Sequence, residues 1–237
     1  MRQARWRTSD DPELMLDCEP SRVSPRKLRL FACACCRHLL PHFSDAHIRR
    51  TLAFAERVAE GDPGGDDERR ALGAALDKRY ATLYPGHGAP SPATLALSAV
   101  TDAAFATDPG GAARSAMLTG MEAIATAEAL AVPDSEYDAR HDAVAGEVKR
   151  YYAGLLREIV GCPFNPPSRD PAWDRWNHQA IVTLARSIYE SSSFVDLPIL
   201  ADALEECGNA DPSLVQHCRA PVEHVRGCWA LDCICGL

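Results

Sequence analysis

The 237-residue sequence predicts an all-α protein, a compact domain of about eight to ten helices. Apolar residues recur at helical spacing along most of the chain, and no convincing segment alternates apolar and polar residues as a half-buried strand does. Alanine-rich segments favour closely packed helices. Because the composition is 46% hydrophobic but only 7% aromatic, small and aliphatic side chains are expected to form the core.

The first strong helix is predicted at residues 25–40. Ser24 can cap it, Pro25 suits its first position, and Pro41 ends or kinks it. A second helix is predicted from a cap at Asp45 to about residue 61. The apolar stripe of the first helix consists of Leu28, Phe31, Ala32, Cys35 and Leu39.

Loops rich in Gly and Pro delimit the middle helices at residues 61–67, 84–91 and 108–111. Helices are predicted between these loops, the second of them starting at Ser91-Pro92, and an alanine-rich helix is predicted to end near Val132. The next helix is long and runs from residue 133 to 159. Its candidate inward residues are Val144, Val148, Tyr151, Tyr152 and Leu155.

The C-terminal part begins with an irregular, proline-rich stretch at residues 161–171. A clean helical face follows, formed by Ile181, Leu184, Ala185, Ile188 and Tyr189. Further helices are predicted at 197–208, where Gly208 ends the helix, at 211–218 and at 224–235.

A single domain spanning residues 1–237 is predicted, and its three segments differ in character. Residues 1–60 form N-terminal helices, 61–135 a variable alanine-rich helical region, and 136–237 the C-terminal helices. The helix at 25–40 is expected to pack against the C-terminal helices, bringing the chain ends together.

Charge and hydropathy indicate a cytoplasmic protein that avoids nucleic acid and membranes. The net charge is −8: residues 1–50 carry ten basic and six acidic side chains, and the remaining residues carry fifteen and twenty-seven. Such a chain repels anionic polymers and surfaces. No apolar stretch is long enough to span a bilayer, and no secretory signal is visible. The ten cysteines are therefore expected to stay reduced.

Several motifs resemble a family of bacterial paralogues without an assigned activity. The segment Arg26-Lys-Leu-Arg-Leu-Phe-Ala-Cys-Ala-Cys-Cys-Arg37 is similar to the family's N-terminal motif. Asp170–Trp173, Leu197–Glu206, His217–Arg219 and His224–Trp229 are similar to its C-terminal motifs, and Leu197–Glu206 also resembles a short helical repeat-companion motif. Cys162-Pro163-Phe164 departs from the family's Asn-Pro-Phe. The resemblance implies an interaction module rather than a defined chemistry.

Cysteine and histidine cluster near both ends of the chain, which raises the question of metal binding. Zinc takes four ligands of these types, usually from pairs of closely spaced residues. His224 and Cys228 have the spacing of a helical pair. If the two ends of the chain meet, a composite site could form from Cys35 or Cys36 at one end and His217, His224 or Cys228 at the other. The alternative is that the cysteines only fill the core, because Cys35 falls on an apolar stripe.

A binding site for an anion or an acidic partner is a further hypothesis for Arg219, His224 and Arg226. They flank Pro221 near the predicted start of the last helix, and helix N-termini attract anions. The alternative is a structural latch in which the arginines pair with nearby carboxylates, such as Asp202, Glu205 and Glu206.

Catalysis is disfavoured by the sequence. Cys36 or Cys228 could act as a nucleophile with a histidine and Asp232, but no nucleophile motif surrounds either thiol. The sequence therefore predicts a non-catalytic interaction or scaffold module with a protein partner and no cofactor. The alternative is a zinc- or thiol-dependent protein that uses the two clusters.

Overall fold

The computed structural model describes residues 3–18, 23–62, 64–86, 88–208 and 211–237. Within these ranges the protein is all-α, with twelve α-helices and no strand, which confirms the predicted fold class. The chain divides into two compact units, Gln3–Leu156 and Arg157–Leu237, called here the N-terminal and C-terminal units. The single-domain hypothesis stays a prediction. Among the described helices, none is both long and apolar enough to cross a bilayer.

The N-terminal unit contains seven complete helices and most of an eighth. The unit boundary falls inside the eighth, so that its last turn belongs to the C-terminal unit. In chain order the helices are α1 (Gln3–Thr8), α2 (Pro12–Cys18), α3 (Pro25–Arg37), α4 (Ala46–Ala59), α5 (Asp66–Leu83), α6 (Pro92–Phe105), α7 (Pro109–Ala129) and α8 (Tyr137–Val160).

Side-chain caps define the starts of the helices that the sequence predicted best. The Ser24 side chain accepts a hydrogen bond from the backbone N–H of Lys27, and Asp45 accepts one from His47. Ser91 caps α6 in the same way, with proline at the next position. Each cap satisfies a backbone donor that the first helical turn would otherwise leave unpaired.

Helix α3 lies at the centre of the N-terminal unit, packed against α4, α6 and α7. The alanine-rich faces of α6 and α7 allow these backbones to approach closely, as the composition suggested. Cys35 and Cys36 are fully buried on α3, and the Tyr152 hydroxyl of α8 donates a hydrogen bond to the Cys35 carbonyl. These thiols therefore act as small apolar side chains in a core.

The C-terminal unit continues with α9 (Ala180–Ser191), α10 (Leu197–Cys207), α11 (Pro212–Arg219) and α12 (Trp229–Cys235). The predicted apolar face of α9 faces the core of this unit, and Trp173 is buried beside it. Gly208 ends α10 with a left-handed backbone, as predicted. The largest aliphatic side chains of this core are Ile181, Ile188, Leu197, Leu200, Leu204, Leu214, Leu231 and Ile234.

The prediction of a last helix at 224–235 is wrong for its first five residues, 224–228. The structure begins α12 at Trp229, and residues 221–228 form a bend, a turn and irregular backbone. Gly227 has a left-handed φ of 90°, and the N-cap residue Cys228 has a non-helical ψ of 122°. A right-handed helix cannot pass through this backbone, so His224 and Cys228 are not helical neighbours.

Candidate metal centre

The C-terminal unit brings four potential metal ligands together. Glu158 lies on the last turn of α8, and His217 lies near the end of α11. His224 lies on the segment between α11 and α12, and Cys228 is the N-cap of α12. One ligand atom from each residue can be chosen so that all four atoms lie within 4.8 Å of one another. These four residues are called the Glu-His-His-Cys group below.

The backbone around the group explains why the ligands converge although they are distant in sequence. Helix α11 ends at Arg219, and Pro221 follows in the connecting segment, which carries His224 back towards α8. The left-handed Gly227 then turns the chain so that Cys228 enters the core.

The close distances within the group centre on two imidazole nitrogens. His217 Nε2 lies 3.2 Å from Cys228 Sγ and 3.3 Å from Glu158 Oε2. His224 Nδ1 lies 3.0 Å from Glu158 Oε1. Both carboxylate oxygens are therefore used, one for each histidine.

These separations suit a tetrahedral ion. Zinc bonds of about 2.0–2.3 Å at tetrahedral angles place neighbouring ligand atoms about 3.3–3.7 Å apart. Three contacts, at 3.0, 3.2 and 3.3 Å, lie at or slightly below that range and are also hydrogen-bond distances. The other pairs of the four ligand atoms lie within 4.8 Å of one another.

The group is withdrawn from solvent. Cys228 is fully buried, Glu158 is 5% exposed, and the side chains of His224 and His217 are 6% and 14% exposed. Hydrophobic walls adjoin it, since the His217 ring lies 4.7 Å from the Trp229 ring, centroid to centroid. Burial at this depth favours a site that holds an ion permanently over one that admits a substrate.

Burial and the neighbouring charges shift the pKa values of Glu158 and Cys228 in opposite directions. Burial raises the pKa of Glu158, but hydrogen bonds and charge interactions with His217 and His224 outweigh it, so the net pKa is lowered. Burial, reinforced by the negative charge of Glu158, raises the pKa of Cys228 well above its usual value. Without an ion, the carboxylate is ionised and the thiol is protonated.

The same residues do not form a catalytic triad. In a triad the base contacts the nucleophile through one ring nitrogen and the orienting acid through the other. Here Nε2 of His217 makes both contacts, to Cys228 Sγ and to Glu158 Oε2. Moreover, a buried thiol with a raised pKa is not activated as a nucleophile.

Three of the five proposed metal ligands, His217, His224 and Cys228, belong to the group. Cys35 and Cys36 do not: they are buried in the core of the N-terminal unit, where burial raises the pKa of both thiols. The nine cysteines whose side chains the structure describes are all free thiols.

The arginines of the proposed anion site are occupied within the C-terminal unit. Arg219 donates hydrogen bonds to both oxygens of Glu205 and to Asp202, which is the structural latch considered as the alternative. Arg226 lies over the Tyr189 ring, with its guanidinium carbon 5.4 Å from the ring centroid. His224 contacts Glu158 instead of pointing to a shared anion pocket.

Glu158 is the member of the Glu-His-His-Cys group that the sequence analysis did not identify, although a signal was present. It falls three residues after Leu155 and seven after Tyr151, which places it on the apolar stripe of α8. A carboxylate at a buried helical position requires a charged or metal partner. No nearby sequence spacing identifies that partner, because His217 and His224 are far along the chain.

Gly161 should be essential for the approach of α8 to the start of α12. Its φ is 69°, and a Cβ at this position would lie 2.8 Å from Trp229 Cγ. We expect Gly161→Ala to destabilise the protein by about 2–4 kcal/mol through backbone strain and overpacking. Urea denaturation followed by circular dichroism measures this change. Gly154→Ala is the control, since a Cβ there meets nothing within 4 Å and should be neutral or stabilising.

Comparison with known proteins gives no further information about this chain: no family model, curated protein or solved structure matches it.

Proposed function

We propose that this protein is a zinc-binding, non-catalytic interaction or scaffold module. The observation that carries the proposal is the Glu-His-His-Cys group, in which four ligand-type side chains converge in a nearly closed site. Two imidazoles, one thiolate and one carboxylate form a donor set of borderline softness. Such a set suits zinc better than magnesium or calcium, which prefer oxygen ligands.

Charge balance supports a divalent ion. The Cys228 thiolate and the Glu158 carboxylate together contribute two negative charges, and both residues are buried. A divalent ion neutralises them, so the complete site carries no net charge in its low-dielectric surroundings. A monovalent ion would leave one uncompensated buried charge.

A structural role for the ion agrees with the geometry better than a catalytic one. Catalytic zinc keeps an open coordination position for water or substrate, whereas structural zinc is held by four protein ligands. The group supplies four ligands, and only His217 has more than a tenth of its side chain exposed. The ion would fix the end of α8, α11 and the start of α12 relative to one another.

The interaction role is supported by the surface of the C-terminal unit. Val195, in the turn that precedes α10, is 84% exposed, and Ile199 in the first turn of α10 is 57% exposed, although both side chains are large and apolar. Exposed apolar side chains can contribute to a binding surface. The resemblance to bacterial paralogues, which also favours an interaction module, stays a prediction.

Elemental analysis of the purified protein tests the zinc proposal. We expect a near-stoichiometric content of zinc in the wild-type protein. His224→Ala removes a ligand and should reduce the zinc content to a small fraction of that value. Absence of a bound transition metal from the wild-type protein would overturn the proposal.

The matched control is His178→Asn, which changes an exposed histidine of the same unit. His178 has a left-handed backbone with a φ of 55°, and asparagine tolerates this conformation well. The variant should keep its zinc. Equal zinc loss in both variants would show that the ion is bound elsewhere or nonspecifically.

A further inference from the structure

The C-terminal unit carries an open groove of about 720 Å³ beside helices α10 and α11. Its apolar lining comes from Pro212, Val215, Ala220 and Pro221, and Glu205 and Arg219 add charged groups. This α10–α11 groove does not include any residue of the Glu-His-His-Cys group.

Helix α11 presents different faces to the groove and to the core. Pro212, Val215, Gln216 and Arg219 line the groove, and they recur at helical spacing along one side of α11. Leu214 and Cys218 are buried in the core of the C-terminal unit, and Val215, which is 8% exposed, belongs to both the core and the groove lining. Since α11 is held from its core side, its groove side forms a fixed surface. Val222, 53% exposed, extends the apolar surface beyond Pro221.

The chain segment that contains the groove is strongly acidic. Residues 197–223 contain five carboxylates and one arginine, a net charge of −4 without histidine. The acidic side chains are all exposed: Asp202, Glu205, Glu206, Asp211 and Glu223.

The one arginine does not reverse this field. Arg219 is paired with two carboxylates, Glu205 and Asp202, so the three groups together carry a net negative charge. An anionic ligand would have to compete with both for the guanidinium. A cation is attracted by the net negative charge of this segment, and such complementarity guides the choice of partner.

We propose that the α10–α11 groove binds a basic peptide segment of a partner protein, with an apolar side chain flanked by lysine or arginine. The apolar side chain enters the lining formed by Val215, Ala220 and Pro221. The flanking cations lie against the exposed carboxylates. An apolar anchor surrounded by complementary charges is a common arrangement for binding energy and selectivity. This proposal names the kind of partner for the interaction role and does not depend on the zinc proposal.

Fluorescence anisotropy with short labelled peptides tests the groove. The probes are a peptide of leucine and lysine, its counterpart of leucine and glutamate, and a peptide of lysine and glycine. We expect the leucine–lysine peptide to bind at least about tenfold more tightly than either of the others. Preferential binding of the leucine–glutamate peptide would overturn the proposal. Equal binding of the lysine–glycine peptide would also contradict it, because it would show that no apolar side chain is needed for binding.

Two variants locate the binding. Gln216→Lys places a positive charge in the groove at an exposed helical position, and we expect it to weaken binding of the leucine–lysine peptide severalfold. Thr183→Lys is its control, because it makes the same charge change on the exposed side of α9, outside the groove lining. Equal effects of the two variants would show nonspecific attraction and overturn the site.

Filling the groove provides a second, charge-free test. Ala220→Trp should occupy the apolar lining and reduce binding about tenfold, with circular dichroism confirming that the helices remain. Unchanged binding by a folded Ala220→Trp variant would also overturn the site. The assay uses the full chain with its metal content measured, so an absence of zinc and an absence of peptide binding are separate results.

Discussion

Replacing Glu158 with alanine is expected to destabilise the protein by about 3–5 kcal/mol, the usual cost of removing one partner from a buried ion pair. The carboxylate is 5% exposed and contacts both His217 and His224. Its loss leaves two largely buried imidazoles without their acceptor and also removes a metal ligand. Urea denaturation monitored by circular dichroism measures the change in the free energy of unfolding.

The control for this variant lies on the same helix. Glu147 is an exposed residue of α8, so Glu147→Ala removes the same side chain without burying an unpaired group. Its effect should stay within about 0.5 kcal/mol, as for most surface substitutions. Similar losses of stability in the two variants would show that Glu158 does not organise the group.

Glutamine at position 158 separates the charge of the side chain from its shape. Glu158→Gln keeps the volume and one hydrogen-bond acceptor but leaves the zinc complex with an uncompensated positive charge in a buried site. Loss of an outer hydrogen-bond partner of a metal ligand lowers metal affinity by about 10–100-fold. We expect the loss of zinc affinity in Glu158→Gln to be larger than this. Competition with a chromogenic chelator measures the affinity, and unchanged affinity would exclude the carboxylate from the coordination shell.

Removing the ion with a chelator is expected to produce the second large effect, a loss of stability confined to the C-terminal unit. A ligand that binds only the folded state at a thousand times its Kd stabilises that state by about 4 kcal/mol. For a unit spanning Arg157–Leu237, this corresponds to a shift in Tm of about 15 °C or more. Calorimetry of zinc-loaded and chelator-treated protein measures the shift.

Hydrogen exchange shows where the loss occurs. Chelation should increase exchange in α11 and in the segment from 220 to 235, because His217, His224 and Cys228 lose their common anchor. Helices α6 and α7 of the N-terminal unit should keep their protection. Equal exchange in both samples throughout the C-terminal unit would contradict a structural ion.

Two cysteine variants complete this test. Cys228→Ser replaces a soft thiolate with a hydroxyl that remains protonated at neutral pH, so this variant should no longer respond to zinc or chelator. Cys207→Ser is the control, since Cys207 lies on α10 outside the group and should leave the response intact.

The sequence alone determined the fold class and most helix starts, because these depend on local interactions. The caps at Ser24, Asp45 and Ser91 connect neighbouring residues, and the stripe on α3 follows from helical period. The burial of Cys35 could likewise be read from its position on that stripe.

Only the tertiary structure decided which chemical groups meet. Sequence spacing suggested that His224 and Cys228 form a helical pair, whereas the left-handed Gly227 breaks that helix. The two residues belong to one group because folding brings them and His217 to Glu158, on a helix about sixty residues earlier in the chain. Local sequence patterns do not predict such long-range contacts, because these contacts depend on how the helices pack. The buried carboxylate on an apolar stripe was the only local sign that a distant partner was required.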